Sequence, residues 1–125
     1  MQQRDTRQRA AIKQAFLQAQ RPLGPKEVLE IASADVPKLG IATVYRNIKS
    51  LVEQNELQVV DIPGGTPRYQ LPQAQRAHLF ICEATDRVYT LSVPADRLSP
   101  ELPVGFTLRE AQLICYGRGP DAELA

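Results

Sequence analysis

The stretch Gly40–Leu57, GIATVYRNIKSLVEQNEL, constrains this chain more than any other. Wound as a helix, it separates into two faces. Val44, Ile48, Leu51 and Val52 recur at helical spacing and form one apolar stripe. Thr43, Arg46, Lys49 and Ser50 project from the other side, with Glu53 falling only toward the C-terminal end. Such a helix needs a small core for its back, and its front suits the major groove of DNA. A solvated amphipathic helix has the same pattern, so the flanking sequence must decide between them.

Upstream, Ile12, Ala15, Phe16 and Ala19 follow helical spacing, which predicts a helix over Thr6–Gln20 with Thr6 as N-cap. Arg21-Pro22 ends it. Pro25 opens a second helix, because its missing N–H costs nothing at the first helical position. Glu27 favours that first turn through the helix dipole, and Val28, Ile31 and Ala32 give it a buried side. Asp35–Gly40 is a turn, and the third helix runs from Ile41 to Gln54. Leu57–Ile62 and Arg68–Leu71 are strand-like, joined by Pro63-Gly64-Gly65-Thr66-Pro67. Helix, helix, turn, helix and hairpin make a winged helix, with the third helix as groove reader and the hairpin as wing.

The second half reads differently. His78–Cys82 and Arg87–Leu91 look like strands, Ser92–Pro103 holds at most a short helix from Pro94, and Phe106–Tyr116 is expected to be a last strand. Three strands and a short helix do not close a core, and an open sheet edge invites a second copy. The predicted fold class is α+β: a winged-helix DNA-binding domain over 1–72, a linker over 73–76, and a small α/β dimerisation domain over 77–125.

Charge follows the same division. The net charge is +1, yet residues 1–72 hold ten Lys/Arg against seven Asp/Glu, and residues 73–125 hold five against seven. The first half is the one that faces a polyanion. No run is long enough for a membrane span and the N-terminus has no signal-peptide core, so a cytoplasmic location is expected, with no membrane partner. No Ser/His/Asp or Cys/His spacing, phosphate-cradling loop or metal cluster supports an enzyme. Two cysteines without a CxxC and one histidine are neither a disulfide framework nor an all-protein zinc site.

Together these features resemble the ferric uptake regulator family of transcription factors. The matches are TRQRAAI (Thr6–Ile12), PKEVLEIA (Pro25–Ala32), ATVYRNIKSLVEQNEL (Ala42–Leu57), PRYQL (Pro67–Leu71), HLFICEATDRVYTL (His78–Leu91) and the GFTL and LICYG segments within Gly105–Gly117. The resemblance covers nearly the whole chain and implies a homodimeric DNA-binding repressor on a palindromic operator. It also implies gating by iron, zinc, manganese or peroxide, through a structural zinc site and a regulatory metal site. It places DNA contacts at Tyr45, Arg46 and Arg9. The helix face itself adds Thr43, Lys49 and Ser50, and the wing adds Arg68.

The chain departs from the family at the metal positions. The first CxxC pair aligns with Cys82 and Thr85, and the second would follow Gly117, where Arg118-Gly119-Pro120-Asp121 stands. Ala77 and Leu79 occupy the positions of the two regulatory histidines, and Arg21 that of a third. The expectation from these substitutions is no metal residue, no cofactor and no metal gating in the family manner. His78, Cys82 and Cys115 remain candidates for a thiol switch, haem or another ligand, against the plainer reading of buried cysteines and an ordinary histidine. A winged helix serving as a protein-interaction module stays open beside the leading reading, a sequence-specific DNA-binding repressor.

Overall fold

The computed structural model describes residues 2–122, with side chains from Asp5 onward. It divides into two compact units, 1–73 and 74–125.

The first unit carries three helices, α1 (Gln2–Ala19), α2 (Pro25–Ala32) and α3 (Ile41–Glu53), then the strands β1 (Gln58–Val60) and β2 (Arg68–Gln70). Helix α1 does not start at Thr6. The upstream Gln and Arg residues are good helix formers, so the helix runs back through them and Thr6 lies inside it. It stops where Gln20 turns left-handed at φ 50°. Helix α2 opens at Pro25 as its sequence predicts, and Glu27 Oε1 accepts from the Gly24 N–H at 3.3 Å. Helix α3 ends in a Schellman turn. Asn55 adopts φ 60°, its N–H reaches the Val52 carbonyl, and the Glu56 N–H reaches that of Leu51 at 2.8 Å.

One core joins the helices. Ile12, Ala15 and Phe16 of α1, Val28 and Ala32 of α2, and Val44, Ile48 and Leu51 of α3 are all buried. The hairpin is antiparallel, Gln58 opposite Gln70 and Val60 opposite Arg68. It is fastened to the helices by Leu23, which exchanges two backbone hydrogen bonds with Tyr69 (2.8 and 2.9 Å). Leu23 is fully buried, so this short rung also plugs the core.

The second unit is a three-stranded sheet in the order β4-β3-β5. Strand β3 (His78–Cys82) pairs antiparallel with β4 (Val88–Leu91) and parallel with β5 (Ile114–Gly117). A short 3-10 turn, Ala95–Leu98, follows Pro94. The last strand is shorter than the sequence suggests. Only Ile114–Gly117 forms a ladder, opposite Leu79 to Cys82 of β3. Phe106 and Leu108, expected in that strand, lie exposed and outside it.

Candidate nucleic-acid interface

With Val44, Ile48 and Leu51 committed to the core, the opposite side of α3 faces outward. Tyr45 is 53% exposed, and Arg46 and Lys49 are exposed beside it. The Arg46 guanidinium donates to Thr43 Oγ1 at 3.0 Å, and Asn47 Nδ2 donates to the Thr43 carbonyl at 2.9 Å. These bonds hold two polar side chains along the helix without using up the guanidinium. Lys49 forms no hydrogen bond or ion pair among the described residues. Between this face and the hairpin lies an open groove of ≈ 450 Å³, whose lining includes Tyr45, Lys49, Val52, Val59 and Tyr69. The surface combines cations, a hydroxyl and an apolar ring, the chemistry that phosphates and base edges in a major groove call for.

Arg9 and Ser50 are drawn together elsewhere. Arg9 donates to Ser50 Oγ at 3.3 Å, to the Gln54 side chain, and to Glu56 at 3.1 Å. Lys13 donates to the other oxygen of Glu56 at 2.8 Å. Two cations on one carboxylate hold Glu56 below the usual carboxylate range, the Lys13 bond being the larger cause and the Arg9 bond the next. Arg9 therefore sits in a clamp between α1 and the end of α3. Glu56 has no signal in the sequence, since its partner lies 47 positions away. Arg68 is half-buried on β2 and donates to the carbonyl and hydroxyl of Thr66, which shapes the hairpin turn. Of the seven residues singled out for DNA, Thr43, Tyr45, Arg46 and Lys49 thus share one open face. Arg9 and Ser50 form the clamp beside it, and Arg68 lies in the hairpin.

The second unit places His78, Cys82 and Cys115 on one sheet, but not in one site. Cys115 stands opposite Phe80 and Cys82 opposite Gly117. Two residues along and one strand over puts the two cysteine Cα atoms roughly 8 Å apart, beyond disulfide reach. Cys82 is fully buried and accepts the Gly119 N–H at 3.4 Å. The Thr85 hydroxyl donates to Asp121 Oδ2 at 2.7 Å, with the Arg87 guanidinium 3.6 Å from the same oxygen. Thr85 is the main cause that lowers both the Asp121 carboxyl and the Cys82 thiol. His78 Nδ1 accepts the Leu113 N–H at 3.1 Å.

Of the positions that the resemblance aligns with metal ligands, Thr85 donates to Asp121 and Arg21 pairs with Glu27, while His78, which lies between two of them, accepts a backbone N–H at Nδ1. Among the described residues no group of three or more His, Cys, Asp or Glu side chains is placed to hold a metal ion. No helix among the described residues is long and apolar enough to cross a membrane.

The same fold recurs in solved structures. A zinc-bound manganese uptake regulator superposes with a TM-score of 0.76 at 23% identity, over 90% of this chain and 87% of its own. The ferric uptake regulator of Francisella tularensis with iron gives 0.64 at 19% identity, over 93% and 91%. That of Pseudomonas aeruginosa with manganese gives 0.55 at 22% identity, over 90% and 87%. These findings correct the expectation of no cofactor. Three structures of this architecture are described with zinc, iron or manganese. Backbone carbonyls, carboxylates and water complete many coordination spheres, and histidine and cysteine counts do not report on them. The model of the ferric uptake regulator family matches residues 1–116. The chain belongs to the ferric uptake regulator family, whose members are DNA-binding transcriptional regulators and not enzymes.

Proposed function

We propose that this protein is a sequence-specific DNA-binding repressor that acts as a homodimer on a palindromic operator. The observation that carries the reading is the outward face of α3, where Tyr45, Arg46 and Lys49 stand exposed next to a hairpin fastened by Leu23. A cation with no partner among the described residues, on a face that lacks a core role, is what a phosphate backbone recruits.

In this reading α3 enters the major groove. Arg46 and Lys49 neutralise phosphates or hold a guanine edge, while Thr43 and Tyr45 meet base edges. Arg68 positions the hairpin and adds charge there. Arg9 braces α1 against the end of α3, and Ser50 is the α3 side of that brace. Two such faces come from a dimer formed through the second unit, where Val104, Phe106, Leu108 and Tyr116 are exposed. Large apolar side chains in that number are costly in water and are covered by a second copy. Occupying a promoter then blocks transcription.

Selection of bound DNA from a random pool tests this reading. The expected result is one enriched sequence with two inverted halves spaced about one helical turn or a little more apart. No enrichment would refute it. On the selected site, Arg46→Ala is expected to weaken binding on the order of tenfold and to lower the salt slope by about one.

A further inference from the structure

The second unit holds a pocket that the DNA-binding reading leaves unused. It is ≈ 540 Å³ in volume, and its lining includes Arg76, His78, Arg109, Glu110, Val93 and Leu98. We propose that it binds a small organic anion, with a carboxylate or phosphate head and a short apolar body.

The charge balance points there. Glu110 is the shared partner of both arginines, with Oε1 3.9 Å from Arg76 and Oε2 2.8 Å from Arg109. One carboxylate against two guanidiniums leaves a net positive charge and most of their N–H donors, roughly five on each, without an acceptor among the described residues. Arginine's planar fork suits paired oxygens of a carboxylate or phosphate. His78 adds to the donor side. Its Nδ1 accepts the Leu113 N–H, so the ring proton resides on Nε2 and that edge is a donor. A pocket rich in donors and poor in acceptors selects an acceptor-rich occupant. Val93 and Leu98 supply an apolar wall, and the volume falls in the range of small-ligand sites.

The walls are fixed, although residues 109–113 form no regular strand. Gln112 Nε2 donates to the Ala77 carbonyl at 2.8 Å, the Leu113 N–H to His78 Nδ1, and the Leu79 N–H to the Leu113 carbonyl at 2.9 Å. Three ties to β3 and the residue before it hold the Arg109–Glu110 side of the pocket against the His78 side, so little ordering remains for the ligand to impose.

Thermal denaturation of the full chain tests the site without any DNA. Succinate and glycerol 3-phosphate are the two probes, each compared with chloride at equal ionic strength. At least one probe is expected to raise the melting temperature in a saturable way, and the one that does identifies the head group as carboxylate or phosphate. Arg76→Gln and Arg109→Gln alter side chains that are 54% and 86% exposed, so the ligand-free melting temperature stays that of the parent. Each is expected to weaken binding about tenfold or more. No saturable shift with either probe would overturn the proposal. So would a shift that persists unchanged in the Arg76→Gln, Arg109→Gln double variant.

Discussion

The two units spend their apolar residues in opposite ways. In the first, the buried side chains of α1, α2, α3 and Leu57 form one continuous cluster, and exposed large hydrophobics such as Tyr45 and Val59 lie beside a cationic face. In the second, the sheet buries Leu79, Ile81, Cys82 and Val88, while Leu102, Val104, Phe106, Leu108, Leu113 and Tyr116 are exposed. One unit is finished by its own helices. The other is a thin sheet whose apolar surface exceeds what its own chain covers. The lesson is one of completeness: the first unit closes its own core and sets cations among its exposed side chains, while the second leaves a larger set of apolar side chains exposed.

The sharpest way to break this contrast is to cut the core of the first unit. Phe16 is 1% exposed within the three-helix cluster. Phe16→Ala is expected to cost about 3–5 kcal/mol, the usual range for a fully buried Phe in a core that does not collapse. Chemical denaturation followed by circular dichroism measures it, and a loss below about 1 kcal/mol would mean that the cluster is not the first unit's main support.

The next largest effect tests the other half of the comparison. Phe106 is 66% exposed, so Phe106→Ser removes nothing that the protomer's own fold buries. If the exposed apolar residues are a dimer face, this substitution leaves the protomer's circular dichroism intact and raises the dimer dissociation constant on the order of tenfold or more, as burial of one Phe implies. Sedimentation equilibrium distinguishes that outcome from an unchanged dimer, which would move the interface elsewhere on the unit.

How far the sequence carried each unit follows the same division. The α3 stripe was legible because Val44, Ile48 and Leu51 repeat at the helix period and the core takes all three. The start at Pro25, the hairpin and the pair β3–β4 were legible for similarly local reasons. Phe106–Tyr116 misled because alternation signals a strand only where a neighbour supplies the ladder, and β3 reaches just Ile114–Gly117. The ties that organise both candidate sites were invisible because they are long-range. Arg9 meets Glu56 across 47 positions and Thr85 meets Asp121 across 36. Expecting no cofactor from the lost histidine and cysteine positions failed because a ligand list covers only the donors it names.

A smaller effect comes from acid. Asp121 is buried, and Thr85, Tyr89 and Cys82 hold its carboxyl below the ordinary range. A carboxyl depressed in the folded state stabilises above its unfolded pKa, and that contribution is lost as pH falls through the folded value. Asp121→Asn removes the charge at every pH. The parent is therefore expected to lose melting temperature on going from neutral to acidic buffer, and Asp121→Asn to start lower and lose less. Parallel curves for the two proteins would show that Asp121 does not tie the C-terminal segment to the β3–β4 turn.

The smallest change tests how separate the first unit's surface charges are from its fold. Glu56 accepts from both Arg9 and Lys13 on an exposed surface, where ion pairs contribute little to stability. Its position is more consequential than its strength, since it neutralises two cations next to the end of α3. Glu56→Gln keeps the shape and removes the charge. The melting temperature is expected to move little, while affinity for unrelated duplex DNA rises a fewfold and the salt dependence steepens, as two freed cations release more counterions. Selectivity for the operator over random DNA then falls, because phosphate contacts add affinity without reading sequence. If Glu56→Gln instead weakens all DNA binding, the clamp's main work is to hold α1 against α3, and Arg9 serves the reader through packing and not through charge.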